Sequence, residues 1–168
     1  GWLARAATPA LPSLGFNVPG WSRTPREVDG VHSYHGADQR TAFMESTDIL
    51  VCLLPLTSDT RGMLDKDFLS TLPKGASLVQ VGRGGQLVEH DLLAMLEDGH
   101  LRHAIVDVFA TEPLPENSAL WDHPKLTITP HTAAATEPRA LAKHVKQEID
   151  LIEAGETSAH HVDTSKGY

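Results

Sequence analysis

Three residues of this chain carry side chains that act together in acid–base chemistry: His131, Glu112 and Arg83. Each follows a short apolar run of the kind that forms a strand. An imidazole gives or takes a proton near neutral pH, and a neighbouring carboxylate stabilises the imidazolium. A guanidinium can hold a carboxylate through two parallel hydrogen bonds and polarise an adjacent carbonyl. Together the three residues predict a site that protonates a carbonyl oxygen beside an anchored carboxylate.

Each of the three residues also has a simpler interpretation when it is taken alone. A histidine after a strand is more often structural than catalytic, and an arginine in a glycine-rich turn is usually a surface residue. The glycines at positions 82 and 84, however, let the backbone around Arg83 approach a ligand closely. The pairing of His131 with Glu112 is what favours the catalytic interpretation.

The elements that must position these residues alternate between strand-like and helix-like runs, which predicts βαβ units and a parallel sheet. Because the carboxyl ends of parallel strands meet at one edge of an open α/β sheet, the residues after the strands are expected to share a site. The run at 48–54 is nearly continuously apolar, as in a strand buried on both faces. Strands are predicted at 15–21, 48–54, 76–81, 103–108 and 126–129, and helices at 65–72, 89–97 and 138–154.

Composition excludes several classes of function. The net charge of -8, with 14 basic against 22 acidic residues, disfavours nucleic acid or an anionic membrane as a partner. No apolar run approaches the roughly 20 residues that a membrane span needs. The only cysteine, Cys52, excludes an internal disulfide and suits the reducing cytoplasm. No metal site is expected, because His160-His161 has no further ligand at a suitable spacing.

The first residues are consistent with part of a glycine-rich loop that binds a dinucleotide. Gly1, Leu3 and Ala4 would lie where the backbone approaches the pyrophosphate at the N-terminus of a helix. Any helix that begins with glycine would look the same, and Ala4 stands where a third glycine is usual. The prolines at positions 9 and 12 are also unusual inside a helix.

The residues after the first predicted strand bear on the choice between NAD and NADP. An NAD site usually has an Asp or Glu there for the ribose hydroxyls. This chain has Ser22 and Arg23, followed by Arg26, and these side chains could hold a 2′-phosphate, which favours NADP over NAD. The alternative is a pair of solvated arginines in a loop. After the next strand, Leu54 and Pro55 could form a wall for the nicotinamide ribose or simply end the strand.

Taken together, the motifs resemble the D-isomer-specific 2-hydroxyacid dehydrogenases, and the similarity runs from Gly1 to Tyr168. Any one motif is modest, whereas their order and spacing are specific. The segments Gly20-Trp21-Ser22-Arg23, Val162-Asp163 and Lys166-Gly167-Tyr168 are similar to the branch of the family that reduces glyoxylate and hydroxypyruvate. The motifs shared with the family as a whole are Val81-Gly82-Arg83-Gly84, Asp107-Val108-Phe109 with Glu112-Pro113-Leu114, Trp121-Asp122-His123-Pro124 and Thr129-Pro130-His131.

The resemblance implies a Rossmann-like, doubly wound parallel sheet over residues 1–150 and a tail, residues 151–168, that packs toward a substrate domain. It implies reduction of a small 2-ketoacid, glyoxylate or hydroxypyruvate, with NADPH preferred and NAD possible, in a cytoplasmic homodimer. His131 would be the acid/base, Glu112 its partner and Arg83 the carboxylate anchor. The residues expected to line the cofactor are Gly1, Leu3, Ala4, Ser22, Arg23, Leu54, Pro55, Val81, Gly82 and Asp107.

The chain also departs from the family pattern at its beginning. It starts at glycine, so we expect a fragment or a processed chain that lacks the substrate domain, the first strand and the first glycine of the fingerprint. That strand lies in the middle of the sheet. Its loss would open a gap of about 4.8 Å on each side and leave backbone groups unpaired. Residues 1–168 alone are therefore predicted to be poorly stable and nearly inactive.

Two other functions remain open at this point. One is a non-catalytic scaffold that senses a dinucleotide on the same fold, like the corepressor relatives of these dehydrogenases. The other is an inactive fragment that neither binds nor catalyses. The presence of Arg83, Glu112 and His131 together favours the reductase.

Overall fold

The computed structural model describes residues 2–158. The strands within that range are β1 (Pro19–Ser22), β2 (His32–His35), β3 (Ile49–Cys52), β4 (Ala76–Gln80), β5 (Leu101–Val106) and β6 (Leu126–Ile128). The α-helices are α1 (Trp2–Ala7), α2 (Arg40–Glu45), α3 (Lys66–Leu69), α4 (Glu89–Glu97) and α5 (Pro138–Glu153). Short 3-10 helices cover Thr8–Ala10, Pro12–Leu14 and Gly84–Gln86.

The strands form two sheets, and every strand pairing is parallel. β1 pairs with β2, and the larger sheet has the order β3-β4-β5-β6. Parallel strands, with α3 between β3 and β4 and α4 between β4 and β5, confirm the predicted Rossmann-like α/β fold. Within residues 2–158, β1 and β3 each have one edge without a strand partner. Within the described residues the two sheets are not hydrogen-bonded to each other, and the position of the gap expected from the sequence stays a prediction.

The hydrophobic core lies against one face of the larger sheet. Leu50 and Cys52 of β3 are buried there, together with residues of β4, β5 and α4. Ile49 and Val51 alternate with them and are 44% and 47% exposed. The expectation that the run at 48–54 is buried on both faces is therefore wrong for the described part of the chain. The alternation follows from the two-residue period of a strand, which places neighbouring side chains on opposite faces.

Local capping explains where α3 and α4 lie. The carboxylate of Asp65 accepts the N–H of Phe68 at 2.8 Å and so begins α3. Asp91, in the first turn of α4, accepts the N–H of Lys66 at 2.9 Å and ties the two helices together. α4 has its predicted bounds, whereas α3 is only one turn long and continues into turns before Pro73.

The N-terminal segment differs most from its predicted structure. α1 ends at Ala7, and two 3-10 turns that contain Pro9 and Pro12 follow, because proline removes a helical hydrogen bond. The first strand is Pro19–Ser22 instead of 15–21. β2 was not predicted, because its sequence has no alternation of apolar and polar residues.

α5 is capped but unburied. The carboxylate of Glu137 accepts the N–H groups of Arg139 at 3.1 Å and Ala140 at 2.6 Å. No residue of the helix is buried. Four of its large apolar side chains are 47% to 69% exposed: Leu141, Val145, Ile149 and Ile152. The domain boundary placed at residue 150 lies inside this helix and stays a prediction, and most of the tail lies outside the described residues.

Candidate active site

The residues predicted to form the catalytic site and the nicotinamide wall lie at the carboxyl edge of the larger sheet. Leu54 and Pro55 follow β3, Arg83 follows β4, Glu112 follows β5 and His131 follows β6. Because all four strands are parallel, these segments converge on the same edge. The tertiary structure thus gathers residues that are up to 77 positions apart in the chain (131 − 54).

His131 and Glu112 contact each other directly. The Nδ1 atom of His131 lies 2.8 Å from Oε2 of Glu112, and the other oxygen of Glu112 accepts the N–H of Phe109 at 2.9 Å. The hydrogen bond with His131, followed by the one from Phe109, lowers the pKa of Glu112. Glu112 therefore stays ionised beside the imidazole. The second ring nitrogen, Nε2, is not used by this pair, so His131 can exchange a proton there with a substrate.

The backbone of His131 adopts an uncommon conformation. Its φ of 55° lies in the left-handed region, and among residues 2–158 no other non-glycine residue has a positive φ. Its N–H donates to the carbonyl of Thr129 at 3.1 Å. Such conformations persist where the surroundings hold them, and they concentrate at functional sites.

Hydrogen bonds to Asp107 restrain the backbone on both sides of His131. Its side chain is buried, and it accepts hydrogen bonds from Oγ1 of Thr129 at 2.5 Å, N–H of Thr132 at 2.9 Å and N–H of Ala133 at 3.0 Å. Burial raises the pKa of Asp107, but these hydrogen bonds outweigh it and lower the pKa overall. From the sequence, Asp107 is expected to line the cofactor. The structure shows it fixing both sides of His131, and its contact with a cofactor stays a prediction.

The glycines beside Arg83 are required by contacts within the protein. A Cβ atom on Gly84 would lie 1.9 Å from the carbonyl carbon and oxygen of Phe109, and one on Gly82 would lie 2.3 Å from Oε1 of Gln86. The loop of Arg83 therefore rests against Phe109, whose N–H is hydrogen-bonded to Glu112. The close approach to a ligand that the sequence predicts for these glycines stays a prediction.

Sequence reasoning missed two buried glutamines, Gln80 and Gln86. Both are 0% exposed, and Gln86 donates to the carbonyl oxygens of Leu54 at 3.0 Å and Pro55 at 3.1 Å. The signal that could have found Gln80 is an amide inside an apolar strand, because buried polar side chains are kept where they have partners. Gln86 gave no such signal, because it lies in a polar, glycine-rich turn.

The residues assigned to the 2′-phosphate lie at the end of β1, on the smaller sheet. The hydroxyl of Ser22 donates to the carbonyl of Thr24 at 2.7 Å. The Nη1 atom of Arg23 lies 3.6 Å from Oδ2 of Asp59, and both side chains are mostly exposed. This ion pair joins the end of β1 to the loop after β3.

The other residues predicted to line the cofactor lie in α1, directly after β4, or outside the described residues. Leu3 and Ala4 lie in α1, with Leu3 52% exposed, and Gly1 lies outside the described residues. Val81 follows β4 and donates its N–H to the carbonyl of Cys52 at 3.4 Å.

Among residues 2–158, no group of three or more His, Cys, Asp or Glu side chains could hold a metal ion, and His160-His161 lies beyond that range. None of the helices in that range is both long and apolar enough to cross a membrane.

A sequence model described as "D-isomer specific 2-hydroxyacid dehydrogenase, NAD binding domain" matches residues 1–133. The chain belongs to the D-isomer-specific 2-hydroxyacid dehydrogenase family. Glyoxylate/hydroxypyruvate reductase A of Serratia proteamaculans is 46% identical to this family member over 168 residues, which are 100% of the chain and 54% of that protein. The chain therefore spans about half the length of the curated relatives that it matches.

Solved structures of the family agree with this assignment. A D-isomer-specific 2-hydroxyacid dehydrogenase from Xanthobacter autotrophicus, in complex with NADPH and MES, matches with a TM-score of 0.96 and 42% identity, covering 100% of this chain and 69% of the other. An NADPH-dependent glyoxylate/hydroxypyruvate reductase from Sinorhizobium meliloti, in complex with NADP and sulfate, matches with a TM-score of 0.94 and 42% identity over 100% of this chain and 54% of the other.

Proposed function

We propose that this chain forms the cofactor-binding, proton-transferring part of an NADPH-dependent reductase of small 2-ketoacids, with glyoxylate or hydroxypyruvate as substrate. The observation that carries the proposal is the hydrogen bond between His131 and Glu112 at the sheet edge that also holds Arg83. Relatives that cover the whole chain are named glyoxylate/hydroxypyruvate reductase A, which supports the same reaction.

His131 acts as the general acid and base. In the direction of reduction, Nε2 donates a proton to the carbonyl oxygen of the ketoacid, and in the reverse direction it takes that proton back. Glu112 holds Nδ1 at 2.8 Å and stabilises the positively charged ring that donates the proton. Asp107 keeps the loop of His131 in place through its bonds to Thr132 and Ala133.

Arg83 binds the carboxylate of the substrate. Arg83 is an exposed residue at the carboxyl end of β4, and Nη1 of its guanidinium donates to the carbonyl of Gly82 at 2.7 Å. Two parallel hydrogen bonds would orient the ketoacid and polarise its carbonyl. NADPH, when bound, supplies the hydride.

The donor set at the end of β1 fits NADP. Ser22 has a hydroxyl group, and Arg23 has a guanidinium group on a side chain that is 54% exposed. Neither residue has the carboxylate that is expected at an NAD site. The two structural relatives described above hold NADPH and NADP, which supports the same preference. Leu54, Pro55, Val81 and Gly82 line the cofactor in this proposal, NAD is the secondary cofactor, and the protein is a cytoplasmic homodimer.

A chimera tests the proposal, because the relatives are about twice as long as this chain. The N-terminal part of the Serratia protein would precede residues 1–168, and NADPH oxidation would be followed with glyoxylate, hydroxypyruvate and pyruvate. We expect turnover with glyoxylate and hydroxypyruvate. Tight NADPH binding without turnover of any ketoacid would instead indicate the dinucleotide-sensing scaffold, and the absence of both would indicate an inactive protein.

In the same chimera, replacing His131 by alanine should lower turnover by about 100-fold or more, because the proton donor is lost. The affinity for NADPH should change little. Isothermal calorimetry for NADPH and steady-state kinetics for glyoxylate would measure the two effects separately. Equal losses in both would mean that His131 has a structural role only.

A further inference from the structure

Two buried amides surround the main chain of Arg83. Gln80, at the end of β4, and Gln86, at the end of the following 3-10 turn, are both 0% exposed. Oε1 of Gln86 accepts the N–H of Arg83 at 2.8 Å, and Nε2 of Gln80 donates to the carbonyl of Arg83 at 3.0 Å. The two polar groups of the Arg83 backbone are therefore held from opposite sides.

The same amides connect to the rest of the site. Gln86 donates to the carbonyls of Leu54 and Pro55, at 3.0 Å and 3.1 Å, and Oε1 of Gln80 accepts the N–H of Gly82 at 3.2 Å. Their side chains also contact each other, with 3.4 Å between Nε2 of Gln80 and Oε1 of Gln86. Gln86 thus joins the end of β3 to the loop of Arg83.

Burial of these amides requires hydrogen-bond partners, and both of them have such partners at the loop of Arg83. A buried polar group without partners costs about 1–3 kcal/mol, whereas an apolar side chain of similar shape needs no partners. Leu78, in the same strand as Gln80, meets the core with an apolar side chain. The amides therefore contribute what an apolar residue cannot, which is a fixed direction for the backbone at Arg83.

We propose that Gln86 is a positioning residue that sets where the Arg83 guanidinium meets the carboxylate of the substrate, with Gln80 as its partner. The proposal rests on the function proposed above. An extended backbone at Arg83, with φ -142° and ψ 143°, leads from the sheet to the turn, and the amides hold that conformation. Gln86 acts through Arg83 and does not touch the substrate itself.

Kinetics of Gln86→Met in the chimera test this role, because methionine keeps the length of the side chain and removes its hydrogen bonds. We expect the KM for glyoxylate to rise about tenfold, which corresponds to about 1.4 kcal/mol. The Kd for NADPH should rise by a smaller factor, because Gln86 also holds the carbonyls of Leu54 and Pro55. Leu72→Ala, a core substitution in the turn after α3, is the control for general destabilisation. A rise in KM that is no larger than that of the control would overturn the proposal.

A double-mutant cycle tests whether Gln86 acts through Arg83. In the Arg83→Ala background, Gln86→Met should have little further effect on kcat/KM, because the group that it positions is gone. Additive losses would contradict the proposal. Binding of oxamate, a carboxylate analogue of the substrate, should follow the same pattern when measured by calorimetry in the presence of NADPH.

Amide hydrogen exchange separates a failure of this inference from a failure of the proposed function. Exchange at Arg83 should accelerate in Gln86→Met, and unchanged exchange would refute the backbone restraint whatever the activity. If Gln86→Met does not fold, Gln80→Met takes its place, with faster exchange at Gly82 expected. If the unsubstituted chimera neither turns over ketoacids nor binds oxamate, the proposed function fails, and the positioning role fails with it.

Discussion

At the scale of single residues, His131 is held by two different carboxylates. Glu112 is hydrogen-bonded to its imidazole ring. Asp107 accepts hydrogen bonds from the backbone N–H groups of Thr132 and Ala133, the two residues that follow His131. The pKa of each carboxyl lies below its ordinary value, so both are ionised at neutral pH. The chemistry assigned to His131 therefore depends on two acidic groups with separate tasks.

These depressed pKa values predict a loss of stability in acid. On acidification the unfolded chain takes up protons at these carboxyls first, because its pKa values are higher, and unfolding is favoured. The stabilisation is present at neutral pH and is lost as the pH falls below the ordinary carboxyl values, 3.8 for Asp and 4.5 for Glu, and through the depressed pKa values of the folded state. Asp107→Asn should unfold at lower urea concentration at neutral pH and should lose less stability in that range. Parallel stability profiles for the two proteins would contradict this prediction.

The ion pair between Arg23 and Asp59 predicts an effect on cofactor affinity. The carboxylate of Asp59 lies 3.6 Å from the guanidinium that is proposed to meet the 2′-phosphate, and it would repel that phosphate. Asp59→Asn should tighten NADPH binding by about threefold at low salt and leave NADH binding unchanged, since exposed pairs contribute little and salt screens them. Calorimetry on the chimera would show this. Glu97→Gln, an exposed acid at the end of α4, is the control and should change neither affinity.

At the scale of elements, the site depends on how closely the loop after β4 approaches the loop after β5. Gly84 lies directly against the backbone of Phe109, and this contact relates Arg83 to the pair formed by Glu112 and His131. α4 follows at once, beginning at Glu89, whose carboxylate accepts the N–H of Ala110 at 3.1 Å. The turn between β4 and α4 is therefore fixed at both ends.

Gly84→Ala should disturb this arrangement. Its Cβ would lie 1.9 Å from two backbone atoms of Phe109, so the loops must separate, at a cost of about 1–3 kcal/mol in the free energy of unfolding. Turnover of the chimera should fall as well. Gly85→Ala is the matched control, because its nearest neighbours are side-chain atoms of Leu56 and Arg61 at 3.2 Å and 3.3 Å, which can shift. Similar effects of the two substitutions on urea unfolding would contradict this account.

Helices and strands were predicted correctly where their local residue pattern is strong and were missed where it is weak. α4 was predicted with its bounds because apolar residues at helical spacing end at Gly99, which has a φ of 75°. β2 was missed because its four residues, His32–His35, carry no strand pattern. The one-sided burial of β3 was also missed, since an apolar run does not show which of its faces is covered.

At the scale of the whole molecule, apolar surface is left uncovered on α5 and on the face of the larger sheet opposite the core. Ile49, Val51 and Ile105 are 44%, 47% and 36% exposed, and none of α5 is buried. Both β1 and β3 have an edge without a strand partner within residues 2–158. Such edges and patches are unfavourable for a monomer in water.

We therefore expect residues 1–168 alone to be weakly stable and nearly inactive, and the chimera to be stable. Thermal unfolding followed by circular dichroism should show a broad transition for the chain and a cooperative one for the chimera. A cooperative transition together with ketoacid turnover by the chain itself would contradict this expectation.

The sequence by itself determined the parallel α/β class, because hydrophobic periodicity is a local property, and from residue type it predicted the three residues proposed for the chemistry. It also indicated the family through the order of its motifs. Only the tertiary structure decided that Asp107 holds the loop of His131, that Gly84 meets Phe109 and that two glutamines surround Arg83. These contacts join residues from different strands, and their geometry exists only after the strands have paired.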